Sequence, residues 1–251
     1  MSIKDTEYKF NRTEIFVRFY ISKLLFFGGV GMNTTQKTQR LTVSAVMLAL
    51  ATVLAIVCEF IPFLNLPFGG GFTVASMLPI VIVSYMYGIR WGLFTSFVYS
   101  CIQVMVSLIM GKTVLALFTP SSDDYMGLWA AIAIIVIDYF VAYTILGTGG
   151  IFRRVVNNTA LSLVLGVVFA LTLRYVCHVI SGYIFYGAWA EWFFSQEGFY
   201  AIGNKILENF SGGGLALVYS VFYNGLYMIP EIIITSIAAA VVGNVGVVKK
   251  K

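Results

Sequence analysis

Arg174 and His178 stand one helical turn apart in an otherwise apolar stretch, and His178 is the chain's single histidine. Residues at i and i+4 stack on one face of a helix. Where such a helix crosses a bilayer, ionisable groups face a bundle interior or a watery cavity rather than lipid, so this face is the first candidate for a binding site. Other polar and aromatic residues fall near it: Asp138-Tyr139 upstream, Tyr186 and Trp189 after the histidine, and Tyr219 and Asn224 further on. The chemistry open to this set is recognition of a small cationic or aromatic ligand. Tyrosine faces attract a cation through the ring quadrupole. A carboxylate supplies countercharge and two acceptor oxygens, and asparagine offers both donor and acceptor. Plainer readings stay open beside this one. Asp138 can pair with Arg174 as a structural salt bridge whose Coulombic gain barely offsets its desolvation. Tyr186 and, more so, Trp189 suit an interfacial aromatic belt, while Tyr219 and Asn224 suit interhelical hydrogen bonding.

The elements that must carry these residues are membrane helices. Of 251 residues, 59% are hydrophobic and 11% charged, whereas a soluble domain carries roughly a quarter charged residues. The apolar residues gather into stretches long enough to cross a core roughly 30 Å thick, which takes about 20 helical residues each. Six spans are read, near 41–63, 74–90, 91–110, 128–148, 160–187 and 215–243, the second and third parted only by the hinge Gly88-Ile89-Arg90-Trp91-Gly92. In lipid every backbone polar group must be paired internally, so the expected fold is an all-α integral membrane protein, a six-transmembrane-helix bundle. Residues 41–248 would form the membrane domain and residues 1–40 an N-terminal cytoplasmic segment.

The net charge of +5 is distributed as a membrane topology requires, not as a nucleic-acid site. Lys37, Arg40, Arg90, Arg153, Arg154 and Lys249 to Lys251 all fall on one side of a six-span chain. The opposite connections set Lys112 and Lys205 against Asp123, Asp124, Glu191, Glu197 and Glu208. The positive-inside rule therefore puts both termini in the cytoplasm.

Other classes of chemistry lack their residues. Cys58, Cys101 and Cys177 lie in apolar stretches without C-x-x-C spacing, so neither a disulfide framework nor a metal site is expected. One histidine and scattered carboxylates supply no metal ligand set. No phosphate loop occurs, so ATP-driven transport would need a partner protein. No G-x-S-x-G elbow occurs, and no enzyme activity is expected. Residues 15–31 are interrupted by Arg18 and Lys23 and are too short and charged to span. An interfacial helix is one reading of them. The preferred one is that Met32 is the true start and that Gly28-Gly29 translates a ribosome-binding site.

The stretch Leu173 to Tyr186, with its basic residue, histidine one turn later, Ser181-Gly182 pair and terminal aromatic, resembles the fifth helix of the thiamine-specific S-components of energy-coupling factor (ECF) transporters. Tyr219-Ser220-Val221-Phe222-Tyr223-Asn224-Gly225 is similar to that family's Y-S-x-x-x-N-G segment, and Asp138-Tyr139 stands where the family has Glu-Tyr. The resemblance covers about residues 41–245. It implies a cofactor-free, six-helix substrate-binding subunit in a prokaryotic plasma membrane. Such a subunit captures thiamine outside and works with a transmembrane coupling protein and two cytoplasmic ATPases that use the ATP. By position, Asp138 would bind the aminopyrimidine with Tyr139 beside it, His178 and Tyr186 would flank the rings, and Arg174, Tyr219 and Asn224 would supply polar contacts. Ala45 and Ala49 would form the small-x-x-x-small patch that docks on the coupling protein. Phe68 or Phe72, in the glycine-rich first loop, would cover the ligand. The family pattern is altered at Asp138, at Tyr186 in place of tryptophan and in longer connections after the third and fifth spans. An S-component for another vitamin or thiamine precursor is the alternative, and a stand-alone transporter with an Asp138–His178 proton relay a more distant one.

Overall fold

The computed structural model describes residues 33–66, 70–197, 200–246 and 248. Phe68, the segment before Asn33 with the start at Met32, and the terminal lysines therefore lie outside the described residues. From Val43 onward the chain forms one compact unit. Among the described residues all regular elements are helical: α1 (Thr34–Glu59), α2 (Leu78–Tyr87), α3 (Ile89–Ile109), α4 (Thr113–Phe118), α5 (Leu128–Arg154), α6 (Thr159–Phe185), α7 (Ala190–Phe194), α8 (Tyr200–Asn209) and α9 (Gly212–Val245). Five of them, α1, α3, α5, α6 and α9, are long and apolar enough to cross a membrane.

The first two helices depart most from the spans read in the sequence. The first helix starts at Thr34 rather than near residue 41, because Asn33 and Gln36 cap each other: Gln36 N–H donates to Asn33 Oδ1 at 3.0 Å and Asn33 N–H to Gln36 Oε1 at 3.3 Å. The second expected span, 74–90, shortens to the ten residues of α2, starting with Pro79 in its first turn and ending at Gly88, whose φ of 93° breaks the helix. Ten residues rise about 15 Å, half the hydrocarbon thickness. Nine of the ten are buried, so α2 is a central helix apolar on all sides.

The helices approach closely where side chains are small. A Cβ at Gly166 of α6 would lie 2.0 Å from the carbonyl oxygen of Gly149 on α5, and one at Gly147 would lie 2.3 Å from the backbone nitrogen of Leu93 on α3. Small residues at such points let backbones meet in lipid, where close packing replaces the hydrophobic drive between helices. Gly166→Val is therefore expected to destabilise the bundle by more than about 3 kcal/mol, since neither backbone can yield without parting the helices. Thermal unfolding of the detergent-purified variant checks this; an unchanged midpoint would refute the close contact.

The fold positions the site in two ways. α6 and α9 pack along their length, with Ser220 Oγ donating to the Val179 carbonyl at 2.7 Å. The fourth expected span, α5, is not uniform: Ile135–Val141 is a π-helical stretch, and Ile145–Arg154 tightens to a 3₁₀ helix. A π turn widens the helix locally and re-aims its side chains, and this one contains Asp138 and Tyr139. Arg153 Nη2 donates to the Met86 carbonyl at 3.1 Å, at the end of α2 remote from these residues.

Candidate ligand-binding site

A cavity of about 490 Å³ lies among α1, α3, α5, α6 and α9 and is lined as well from the connections that follow α1 and α3. Its volume suits a small organic ligand. All seven residues singled out in the sequence line it: Asp138, Tyr139, Arg174, His178, Tyr186, Tyr219 and Asn224. Phe72 lines it as well, from the first connection. Trp189 does not line it and packs, half-buried, against the core. Ala45 and Ala49 lie apart from it, exposed on α1.

Arg174 and His178 share a face as their spacing requires, but Asp138 and Arg174 do not form the direct salt bridge that the sequence left open. His178 stands between them. Arg174 Nε donates to His178 Nε2 at 3.1 Å, and His178 Nδ1 lies 2.8 Å from Asp138 Oδ1. A guanidinium can only donate, so Nε2 must accept, the ring proton must sit on Nδ1, and Nδ1–H must donate to Asp138. The imidazole is thus held neutral in one tautomer by a cation on one side and a carboxylate on the other. Ser181 Oγ donates to Asp138 Oδ2 at 2.6 Å. Each carboxylate oxygen keeps a further lone pair for a ligand donor.

The remaining functions of Arg174 are met inside the protein. Its guanidinium carbon lies 4.0 Å from the centroid of the Tyr143 ring, a cation–π contact, and Nη1 donates to Met77 sulfur at 2.6 Å. It is buried, 6% exposed. The Ser181-Gly182 pair has a separate use for each member: Ser181 bonds Asp138, and Gly182 admits α9, since a Cβ there would fall 2.3 Å from Ser220 Oγ. Asn224 uses that approach to reach back across the interface, its Nδ2 donating to the His178 carbonyl at 3.2 Å and to Ser220 O at 2.8 Å. Tyr227 Oη donates to Asn224 Oδ1. Tyr139 Oη donates to Ser107 Oγ at 3.2 Å and so ties α5 to α3.

Several lining residues escaped the sequence reading. Tyr223 and Tyr227 continue Tyr219 along one face of α9 at steps of four, with ring centroids 5.7 Å and 6.2 Å apart. Their periodicity was available, but aromatics on an apolar helix read equally as core. Gln103 on α3 lines the cavity at 7% exposure, and its Nε2 is buried without a hydrogen-bond partner among the described residues. Lys112 and Glu59 both line the cavity and form an ion pair at 2.5 Å. Asp124, in the connection before α5, lines it too; burial and the neighbouring Asp123 raise its carboxyl above the usual carboxylate range. Among the described residues no group of histidine, cysteine and carboxylate side chains could hold a metal ion.

The chain is 29% identical over 215 residues to the thiamine transporter ThiT of Bacillus subtilis (strain 168), covering 82% of this chain and 91% of that protein. A solved structure of ThiT from Listeria monocytogenes covers 80% of this chain and 94% of its own, with 16% identity and a TM-score of 0.49. Residues 41–196 match the family described as "Thiamine transporter protein (Thia_YuaJ)". That match takes in the first connection, the π turn with Asp138 and the whole of α6, and by it the chain belongs to the thiamine transporter protein family.

Proposed function

We propose that this membrane protein is the thiamine-binding subunit of an ECF-type importer. The observation that carries the proposal is the Asp138–His178–Ser181 cluster opening into a tyrosine-lined cavity of about 490 Å³, in a chain of the thiamine transporter family. In this reading Asp138 accepts from the exocyclic amine of the aminopyrimidine, Tyr139 supports that end, and His178 and Tyr186 flank the rings. Tyr219 and Asn224 give polar contacts, and Arg174 acts by fixing the His178 tautomer. Phe72, half-buried on the first connection, covers the ligand from above.

The assembly follows from the same reading. α2 counts as a sixth, short membrane segment, which leaves both termini in the cytoplasm of a prokaryotic cell and the cavity open to the outside. Ala45 and Ala49, exposed one turn apart on α1, offer a flat strip to a transmembrane coupling protein. Two cytoplasmic ATPases supply the ATP hydrolysis for which the chain has no phosphate loop.

Calorimetric titration of the detergent-purified chain with thiamine tests the proposal, with fluorescence near Tyr186 and Trp189 as a second signal. One saturable site per chain is the expected result. Folded protein that ignores thiamine but binds a precursor or another vitamin would reassign the ligand. Thiamine uptake by the chain alone in proteoliposomes, driven by a pH gradient, would refute the need for ATPase partners.

A further inference from the structure

Asp124 belongs to the connection that sequence analysis marks as long, and the structure turns that connection onto the cavity. Asp124 N–H donates to Ser122 Oγ at 3.1 Å, and Met126 N–H donates to the Leu117 carbonyl at 3.2 Å. Met126 and Tyr186 pack against the same small cluster of Leu117, Ala131 and Ile134, which fixes the connection to the end of α6. The Asp124 carboxylate thereby lines the same cavity as Tyr186, Tyr219, Tyr223 and Tyr227. Asp138 lies toward the Tyr227 end of this aromatic face, since it holds His178, whose ring centroid is 5.9 Å from that of Tyr227, and Asp124 reaches the cavity from the connection packed beside Tyr186.

The charges on the cavity lining are not balanced. Lys112 is engaged by Glu59, Arg174 by His178, Met77 and the Tyr143 ring, and the histidine is neutral. Among the described lining residues three carboxylates, Glu59, Asp124 and Asp138, face two cations, so one negative charge is left over. Asp138 already receives His178 and Ser181. Asp124 receives no side-chain hydrogen bond or ion pair among the described residues, and it shares the cavity with Tyr186, Tyr219 and Tyr223, whose rings favour a cation.

We infer that Asp124 is the countercharge for a cationic ring lying against Tyr219 and Tyr223, and hence a specificity-determining residue that selects a singly charged ligand over a neutral one of the same shape. The inference rests on the thiamine reading above, in which the thiazolium is that ring. The aminopyrimidine end is read by hydrogen bonds at Asp138, and the charged end by Coulombic attraction at Asp124. Such attraction is weakened by salt because the group is only half-buried.

The test compares thiamine with its isosteric thiophene analogue, 3-deazathiamine, in which carbon replaces the positively charged ring nitrogen. Both are titrated against wild-type, Asp124→Asn and Asp123→Asn chains of equal thermal stability, at low and high ionic strength. Asp124→Asn is expected to weaken thiamine about tenfold at low salt, less at high salt, and to leave the neutral analogue within twofold. Asp123→Asn, exposed and off the cavity, should change neither by more than twofold. Equal losses for both ligands in Asp124→Asn, or no loss for thiamine, would overturn the inference while leaving the thiamine reading intact. A wild-type chain that binds neither ligand would overturn both.

Discussion

Asp138→Asn is expected to weaken thiamine binding about 100-fold while the unfolding temperature stays close to wild type. The asymmetry comes from the way the residue is held. Arg174 fixes the proton of His178 on Nδ1, so that ring donates to position 138. An asparagine there can present Oδ1 to the imidazole and turn Nδ2 toward Ser181, whose hydroxyl can accept as well as donate. The protein contacts survive. What is lost is the negative charge and the acceptor at Oδ2: an amide N–H₂ stands there, donor against donor where the exocyclic amine of the pyrimidine reaches that side. A hydrogen bond to a charged group contributes roughly 1.5–3 kcal/mol, and about 2.7 kcal/mol is a factor of 100 in affinity. Asp138→Ala would mix this loss with a structural one by leaving the His178 N–H and Ser181 without their acceptor, so the asparagine variant is the cleaner measurement. Calorimetry gives the affinity and a thermal melt the fold. An asparagine variant that binds like the wild type would remove Asp138 from the site.

How much of this was legible in the sequence depends on whether a feature is local. Arg174 and His178 were legible because i, i+4 stacking and the cost of charge in a membrane need only one helix. Asp138, Tyr186, Tyr219 and Asn224 were legible as members of a motif pattern, and they meet in one cavity. The order of the cluster was not. Nothing in the chain says that His178 stands between Asp138 and Arg174, because that depends on the π turn in α5 and on the approach that Gly182 allows. The length of the second span is hidden in the sequence for a different reason. Its flanks at 74–77 are as apolar as a membrane helix, and hydropathy does not distinguish a short helix buried on all sides from a longer one facing lipid. The early start of α1 was readable in Asn33 and Gln36, a capping pair just ahead of the apolar run.

Glu231 is singled out by the same cost of charge in a membrane, since a glutamate in the middle of a 34-residue apolar helix is as exceptional as Asp138. It is 1% exposed and accepts from Thr73 N–H at 2.5 Å, from Thr73 Oγ1 at 2.9 Å and from Thr235 Oγ1 at 3.0 Å. It thereby pins the first connection, which carries Phe72 and Thr73 at the cavity, to α9. Its charge also opposes that of buried Arg174. Glu231→Leu should destabilise the protein by about 3 kcal/mol, and the three lost acceptor contacts are unequal contributors to that sum. Thr235 can turn its hydroxyl to its own helix backbone, and Thr73 Oγ1 keeps Ser76 Oγ at 2.6 Å. The Thr73 N–H has no substitute, and burying an unsatisfied donor costs about 1–3 kcal/mol; the loss of a carboxylate that opposes buried Arg174 adds to it. Glu231→Gln keeps an acceptor for that N–H and should lose less than half as much. Thermal unfolding in detergent ranks the variants. Hydrogen exchange at Thr73 to Met77 tells whether the first connection is released while α3 stays protected, as the latch requires. A leucine variant as stable as wild type, with Thr73 still protected, would show that the carboxylate pins nothing.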